Sequence, residues 1–370
     1  MSRNPVHEML PRANPEERAR QRFVLALKGH LGRRLRPRLR DVYERDVRPA
    51  LSEEDAGNPA RISDAMYAHP HYRTWSSLNR CAQELMWEAI GETVFREGSR
   101  LADRYRALAA ERPAGGSVAL DPALEPPKTM ARVNVHLQPG GYLRDAGEDD
   151  VLAGAFYESG GALYSMGQSV GTRESKAQVV QRFVRERYPD FTPTRILDMA
   201  CSAGSSSTPW ALAFPDAEVH ATDIGAGMLR YAHARAEALG ARVHFHQRRV
   251  EATGFDDASF DLVVSHNAMH EMSQQTQAAM MAESYRLLRT GGICVHQDVP
   301  LRFESLDAFD RFERSWDLHN NNEPFWEAYA TNDPRRMLVD AGFAPDDVFV
   351  DMVPQLDGSI AWFVAAARKR

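Results

Sequence analysis

Lysine is nearly missing from this chain: only Lys28, Lys128, Lys176 and Lys369 occur in 370 residues. That leaves few candidates for a Schiff-base nucleophile or for the lysine of a phosphate-gripping loop. Cysteine is scarcer still. Cys81, Cys201 and Cys294 are widely spaced and odd in number, which excludes a disulfide framework. Long apolar runs are also missing. No stretch reaches 18 apolar residues, so no helix is expected to span a membrane. The first residues lack the apolar stretch of a signal peptide, and the expectation is a cytoplasmic protein. Positive charge is not in excess either. A net charge of −6 argues against a dedicated nucleic-acid binder, because phosphate recognition wants a basic surface. One local excess, eleven Lys/Arg against five Asp/Glu between residues 16 and 48, reads as the solvated face of an amphipathic helix. Phe23, Leu27, Leu31 and Leu35 would be its core-facing stripe.

What is present is ordinary globular material, 43% hydrophobic and 26% charged. At about 150 residues per domain the length suggests two domains. Residues 1–125 carry helical patterns and no catalytic motif; they are expected to form an all-helical accessory domain that covers an acceptor entrance or mediates dimerisation. Residues 112–127, dense in Pro and Gly, read as the linker. Residues 126–370 form the second domain. There 132–137 looks extended and 148–188 carries two helical patterns. From residue 194 strands at 195–200, 218–223, 243–246, 260–265 and 292–297 alternate with helices such as 228–239 and 275–288. Such alternation implies an α/β fold, a parallel sheet with helices on both faces. Segments 348–353 and 360–366 fit a closing antiparallel hairpin.

One strand-to-helix turn carries the chemistry. Ile196-Leu-Asp-Met-Ala-Cys-Ser-Ala-Gly sets small residues at Ala200, Ser202, Ala203 and Gly204, so a ligand can approach the backbone closely. Asp223 ends the next strand, 25 positions after Asp198, where a carboxylate suits the two hydroxyls of a ribose. Further on come Ala258-Ser-Phe-Asp-Leu-Val-Val-Ser-His and Glu283-Ser-Tyr-Arg-Leu-Leu-Arg-Thr-Gly-Gly. With these in order, residues 196–292 resemble the class I S-adenosylmethionine-dependent methyltransferases, in particular the small-molecule, ubiquinone-biosynthesis-like branch.

The resemblance implies a Rossmann-like methyltransferase sheet and S-adenosylmethionine as cofactor. It implies that Asp198 through Gly204 pass beside the methionine and ribose parts, that Asp223 takes the ribose hydroxyls and that Ile224 covers an adenine face. Val250 and Glu251 fall near the adenine edge, and His266 and Asn267 near the methionine moiety. Ala200 and Ser202 stand where glycines are usual, a replacement expected to be tolerated because both are small. Two alternatives stay beside this reading. A nicotinamide-dependent oxidoreductase also places an acid at its second strand end, but the turn has one glycine and no Tyr-x-x-x-Lys pair occurs. A protein that binds S-adenosylmethionine without catalysis is the other.

On the acceptor side, a small polar metabolite is expected rather than nucleic acid or membrane. His270 follows the strand at 260–265, where a neutral imidazole would serve as general base or only order the loop. His296 and Asp298 are a second base candidate. The segment 314–329 sets three asparagines among aromatics; Trp316, Asn320, Asn321 and Trp326 are expected to line an acceptor pocket, with Tyr157 and Tyr164 contributed from a preceding helix. No metal is expected. His-Glu-x-x-His does not occur around His266 and His270, and His244 and His246 share a strand face with no third ligand nearby in sequence.

Overall fold

The computed structural model describes residues 6–164 and 175–370. Eight strands form one sheet: β1 (Ser117–Ala119), β2 (Arg195–Met199), β3 (Glu218–Asp223), β4 (His244–Gln247), β5 (Phe260–His266), β6 (Leu288–Asp298), β7 (Val348–Pro354) and β8 (Ala361–Arg368). Their order is β1-β4-β3-β2-β5-β6-β8-β7. The first six pair in parallel, and β8 slips antiparallel between β6 and β7. This is the α/β sheet expected from the alternation of strands and helices, in the Rossmann-like form that the resemblance implies. All seven residues of β5 are buried, as a central parallel strand covered on both faces requires.

Two apolar layers sandwich the sheet. On one face Val180, Trp210, Leu229 and Ala232 pack on Ile196, Val264 and Val295. On the other, Met280, Met281, Leu287 and Leu338 pack on Leu197, Val263 and Cys294. The chain leaves β2 toward β3 and β4, then returns across to β5 and β6. The crevice between the carboxyl ends of β2 and β5 is therefore the switch point where such sheets take ligands.

The N-terminal region is helical but not separate. Ser117–Ala119, within the stretch read as a linker, is the edge strand β1 and pairs in parallel with β4. Val24, Met86, Ile90 and Leu101 share a core with Phe156, Met228 and Tyr231. Leu39, Ile62, Met66 and Trp75 share another with Phe309, Phe312 and Trp316. Buried Glu158 joins these layers: it meets His7 Nε2 and Arg235 Nε at 3.1 Å and accepts from Tyr231 Oη at 2.7 Å. Burial would raise this carboxyl, but Arg235, His7 and the Tyr231 hydroxyl together outweigh that and hold it at about 2. The Arg-rich stretch departs from a single amphipathic helix: Pro15–His30 gives way to Leu31–Leu35, wound with the wider π-type turn. Val24 and Leu31 face the core, whereas Phe23 is 63% exposed. Residues 132–137 are not extended. Lys128–Arg132 is a short helix and Val135–Leu137 a tight turn, with His136 and Leu137 in the left-handed region. No helix among the described residues is long and apolar enough to cross a membrane.

Candidate active site

The turn after β2 is held against β3 by backbone bonds. Cys201 N–H donates to Thr222 O at 2.9 Å, and Ser202 N–H to Asp223 Oδ2 at 3.0 Å. Asp223 Oδ1 accepts from Gly225 N–H at 2.9 Å. Each carboxylate oxygen keeps a second lone pair for a ligand hydroxyl. Burial pushes the Asp223 carboxyl up, and these backbone donors offset part of that rise. Asp198 is fully buried. Its Oδ2 accepts from Ser206 Oγ and Ser207 Oγ, each at 2.6 Å, while Oδ1 has no partner. Burial drives this carboxyl up to about 7.

Smallness is not what makes Ala200 and Ser202 unusual. Their φ values are 55° and 49°, left-handed conformations that a Cβ disfavours by about 1–2 kcal/mol. Gly204, at φ 71°, is tighter: a Cβ there would lie 3.1 Å from Ala232 Cβ and 3.3 Å from Phe245. Half-buried Ile224 accepts through its carbonyl from Gln247 Nε2 at 3.0 Å. Val250 is buried in the core, and Glu251 is held by Arg249 Nε at 2.7 Å.

At the end of β5, His266 is neutral and tied. The Trp210 indole N–H donates to its Nε2 at 3.2 Å, and burial lowers its pKa to about 3. Asn267, at φ 53°, donates its N–H to Gln297 O at 2.8 Å. Beyond it, buried His270 places Nδ1 2.5 Å from Asp298 Oδ1 and Nε2 3.5 Å from Glu271 Oε1. Burial alone would lower its pKa, but the carboxylates of Asp298, Glu271 and Glu323 together outweigh this and lift it to about 9. Asp298 thus engages Nδ1, and Nε2 is the nitrogen that faces Glu271.

Around His270 the chain assembles a polar cluster that the sequence reading missed. His136 places Nε2 3.0 Å from Glu271 Oε1 and pairs through Nδ1 with Glu323. Tyr142 Oη donates to Glu271 Oε1 at 2.9 Å, and Asn321 Nδ2 to Glu323 Oε1 at 3.3 Å. The rings of Tyr142 and Tyr157 meet edge to face at 5.8 Å; burial raises the Tyr157 hydroxyl to about 12, and the neighbouring Ser202 side chain offsets part of that rise. A short aromatic bridge thus joins the cluster to the turn after β2. Of the expected acceptor residues, the structure brings Asn321, Trp326 and Tyr157 to this place, the Trp326 ring 5.8 Å from that of His270.

The others lie elsewhere. Trp316 is buried against Trp75 and donates its indole N–H to Ser76 Oγ at 2.9 Å, so it is core rather than pocket wall. Asn320 donates to Tyr67 Oη at 3.0 Å, turned toward the N-terminal helices. Tyr164 ends the helix Leu152–Tyr164, and its side chain is outside the described residues. His296 sits inside the core between Ser265 Oγ and Ser284 Oγ, with its pKa lowered by burial to about 4, so it reaches no acceptor. The signals for His136 and Glu323 were faint: a histidine before Gly140-Gly141, and one acid just after the asparagine run.

Residues 196–292 match the family described as "Methyltransferase domain". The demethylmenaquinone methyltransferase of Thermus thermophilus is 33% identical over 108 residues, covering 29% of this chain and 48% of that protein. The malonyl-(acyl-carrier protein) O-methyltransferase of Dechloromonas aromatica is 31% identical over 143 residues, covering 33% and 51%. The chain spans about half the length of the curated relatives it matches. Among solved structures, phosphoethanolamine N-methyltransferase 2 of Haemonchus contortus, in complex with S-adenosylmethionine, aligns with a TM-score of 0.40 at 17% identity, covering 51% of each chain.

Proposed function

We propose, from the premise that residues 196–292 are a class I S-adenosylmethionine-dependent methyltransferase domain, that the protein transfers a methyl group to an O, N or S atom of a small polar acceptor. The observation that carries this reading is the pairing of a nucleoside-ready turn with a buried polar cluster one aromatic bridge away. When bound, S-adenosylmethionine supplies a sulfonium methyl whose C–S bond breaks under attack by an acceptor lone pair, leaving its electrons on sulfur.

The residues fit such a ligand. Asp223 has spare lone pairs for two ribose hydroxyls. The unpartnered Oδ1 of Asp198 suits the ammonium of the methionine moiety. Gly204 lets the backbone come close. On the acceptor side Trp326 supplies a flat apolar wall, and His270, Glu271, His136 and Glu323 supply charge of both signs. Positioning of the two reactants is the chain's main contribution and can be worth roughly 7–11 kcal/mol in ideal intramolecular cases. His270, held through Nδ1 by Asp298, presents Nε2 toward the acceptor side. The N-terminal helices back the acceptor side by packing on Trp316 and its neighbours.

Calorimetry with S-adenosylhomocysteine tests the donor half: wild type binds and Asp223→Ala binds at least tenfold more weakly. No binding by wild type removes the reading. Labelled-methyl incorporation into a panel of small polar metabolites tests the second half. Tight binding without turnover across the panel favours a non-catalytic binder.

A further inference from the structure

The cluster beside the donor turn contains more ligating capacity than its own ion pairs use. His136, His270, Glu271 and Glu323 each offer one donor atom, and these four atoms all lie within 4.8 Å of one another. Donors bound to one transition-metal ion at about 2.0–2.2 Å lie at most about 4.4 Å apart, so closure requires only small side-chain movements. Three separate segments deliver them: the tight turns Val135–Leu137 and Met269–Glu271, and the loop after Trp316–Asn320.

Ion pairing alone leaves part of this arrangement unexplained. Glu323 is 1% exposed, yet its Oε2 has no hydrogen-bond partner, and Glu271 Oε2 has none either. A buried acceptor without a partner costs about 1–3 kcal/mol, and a cation bound in the cluster would satisfy both. The groups around them are arranged as the outer shell of a metal centre. Asp298 holds His270 Nδ1, which aims Nε2 at the cluster, and Tyr142 and Asn321 donate to the two glutamates.

We propose that His136, His270, Glu271 and Glu323 bind one divalent first-row transition-metal ion. Two imidazoles with two carboxylates suit manganese, iron, cobalt or zinc, whereas magnesium and calcium prefer all-oxygen sites. His136 and Glu271 keep 18% and 13% side-chain exposure, so the ion has a route from the surface. An ion with four protein ligands and octahedral preference retains open positions. On the methyl-transfer reading, on which this extension rests, those positions hold the acceptor's oxygen or nitrogen against the Tyr142–Tyr157 bridge. The acceptor class is then a small molecule with a metal-ligating hydroxyl, carboxylate or amine. The expectation of no metal weighed only ligands close in sequence, and these four come from distant segments.

Cobalt(II) added to the chelator-treated full-length protein tests the proposal without any acceptor. Wild type should bind one ion per chain and develop ligand-field absorption in the visible. Glu323→Gln and His136→Gln should each weaken binding by at least ~100-fold, and Asp298→Asn, one shell out, by about 10–100-fold. His246→Gln, on β4, changes a histidine that is not one of the four and should leave cobalt binding unchanged. Affinity for S-adenosylhomocysteine, measured on every variant, reports folding and tests the donor half separately. If wild type takes up no cobalt, or if Glu323→Gln and His136→Gln bind it as wild type does, the cluster is an ion-pair network only and the proposal is overturned. The wild-type titration decides this even if a variant does not fold.

Discussion

Asp298, the last residue of β6, reaches across to the turn after β5 and holds His270 with its Oδ1 2.5 Å from Nδ1. The same carboxylate accepts the Met269 N–H through Oδ2 at 2.7 Å and the Val299 N–H through Oδ1 at 2.6 Å. One buried anion therefore fixes the turn's backbone and its imidazole together.

Removing its charge should uncouple the two halves of the site. Asp298→Asn takes from buried His270 its nearest carboxylate partner, a loss worth about 3 kcal/mol by the behaviour of broken buried pairs. Urea unfolding should report that loss, while calorimetry should find affinity for S-adenosylhomocysteine within a few-fold of wild type. A large loss of cofactor affinity would mean that β6 also organises the donor turn.

Asp198 predicts a pH dependence. Its folded pKa of about 7 lies above its ordinary 3.8 because burial favours the neutral acid. The stability from this group is fully present below pH 3.8 and is lost as pH rises through about 7. Affinity for a ligand ammonium has the opposite slope, since only the ionised carboxylate pairs with it. Binding of S-adenosylhomocysteine should tighten from pH 6 to about 7 and then level off. Asp198→Asn should bind weakly with no such slope between those values; a parallel slope in the variant would assign the titration elsewhere.

The turn after β2 predicts a contrast between two glycine exchanges. Gly204→Ala forces a Cβ against Ala232 at a positive φ and should cost about 2 kcal/mol, with weaker cofactor binding. Ala200→Gly relieves about 1 kcal/mol of backbone strain but adds comparable freedom to the unfolded chain, so stability should change by less than ~0.5 kcal/mol. Thermal unfolding of the two variants checks both. Equal destabilisation would contradict the left-handed assignment of Ala200.

Glu158 predicts acid sensitivity in the contact between layers. Its folded pKa of about 2 is below the ordinary 4.5, so its contribution is present above 4.5 and lost as pH falls toward 2. Glu158→Gln should therefore lower stability by about 3 kcal/mol near neutral pH. The gap to wild type should narrow in urea unfolding as pH drops below 4.5. A gap that stayed constant would mean that packing rather than charge is lost.

The donor half was legible because its signals are local. The buried runs of β2, β3 and β5, the small residues after Asp198, and Asp223 at the end of a strand each declare themselves within a few positions. The acceptor half was read in outline. His270 and Trp326, each expected on the acceptor side, lie with their rings 5.8 Å apart, but a tryptophan that lines a pocket and one that fills a core look alike in sequence, and Trp316 is the second kind. Phe23 kept the right period and still faces water, because the helix phase is set by Val24 and Leu31. Ala200 and Ser202 were judged by size, when backbone angle decides their strain.

The path by which the chain closes the cluster has a consequence for folding. Asp198 and Asp223 are neighbours in sequence by comparison with His136, which meets Glu271 across 135 residues and Asn321 across 185. Closing such loops is entropically slow, and no short fragment holds the four side chains together. The donor turn can be native while the cluster is still unmade. In refolding, ligand binding at Asp223 should therefore mature ahead of any chemistry that needs His136, and the interval between them is a clock for the final docking of the helical layer.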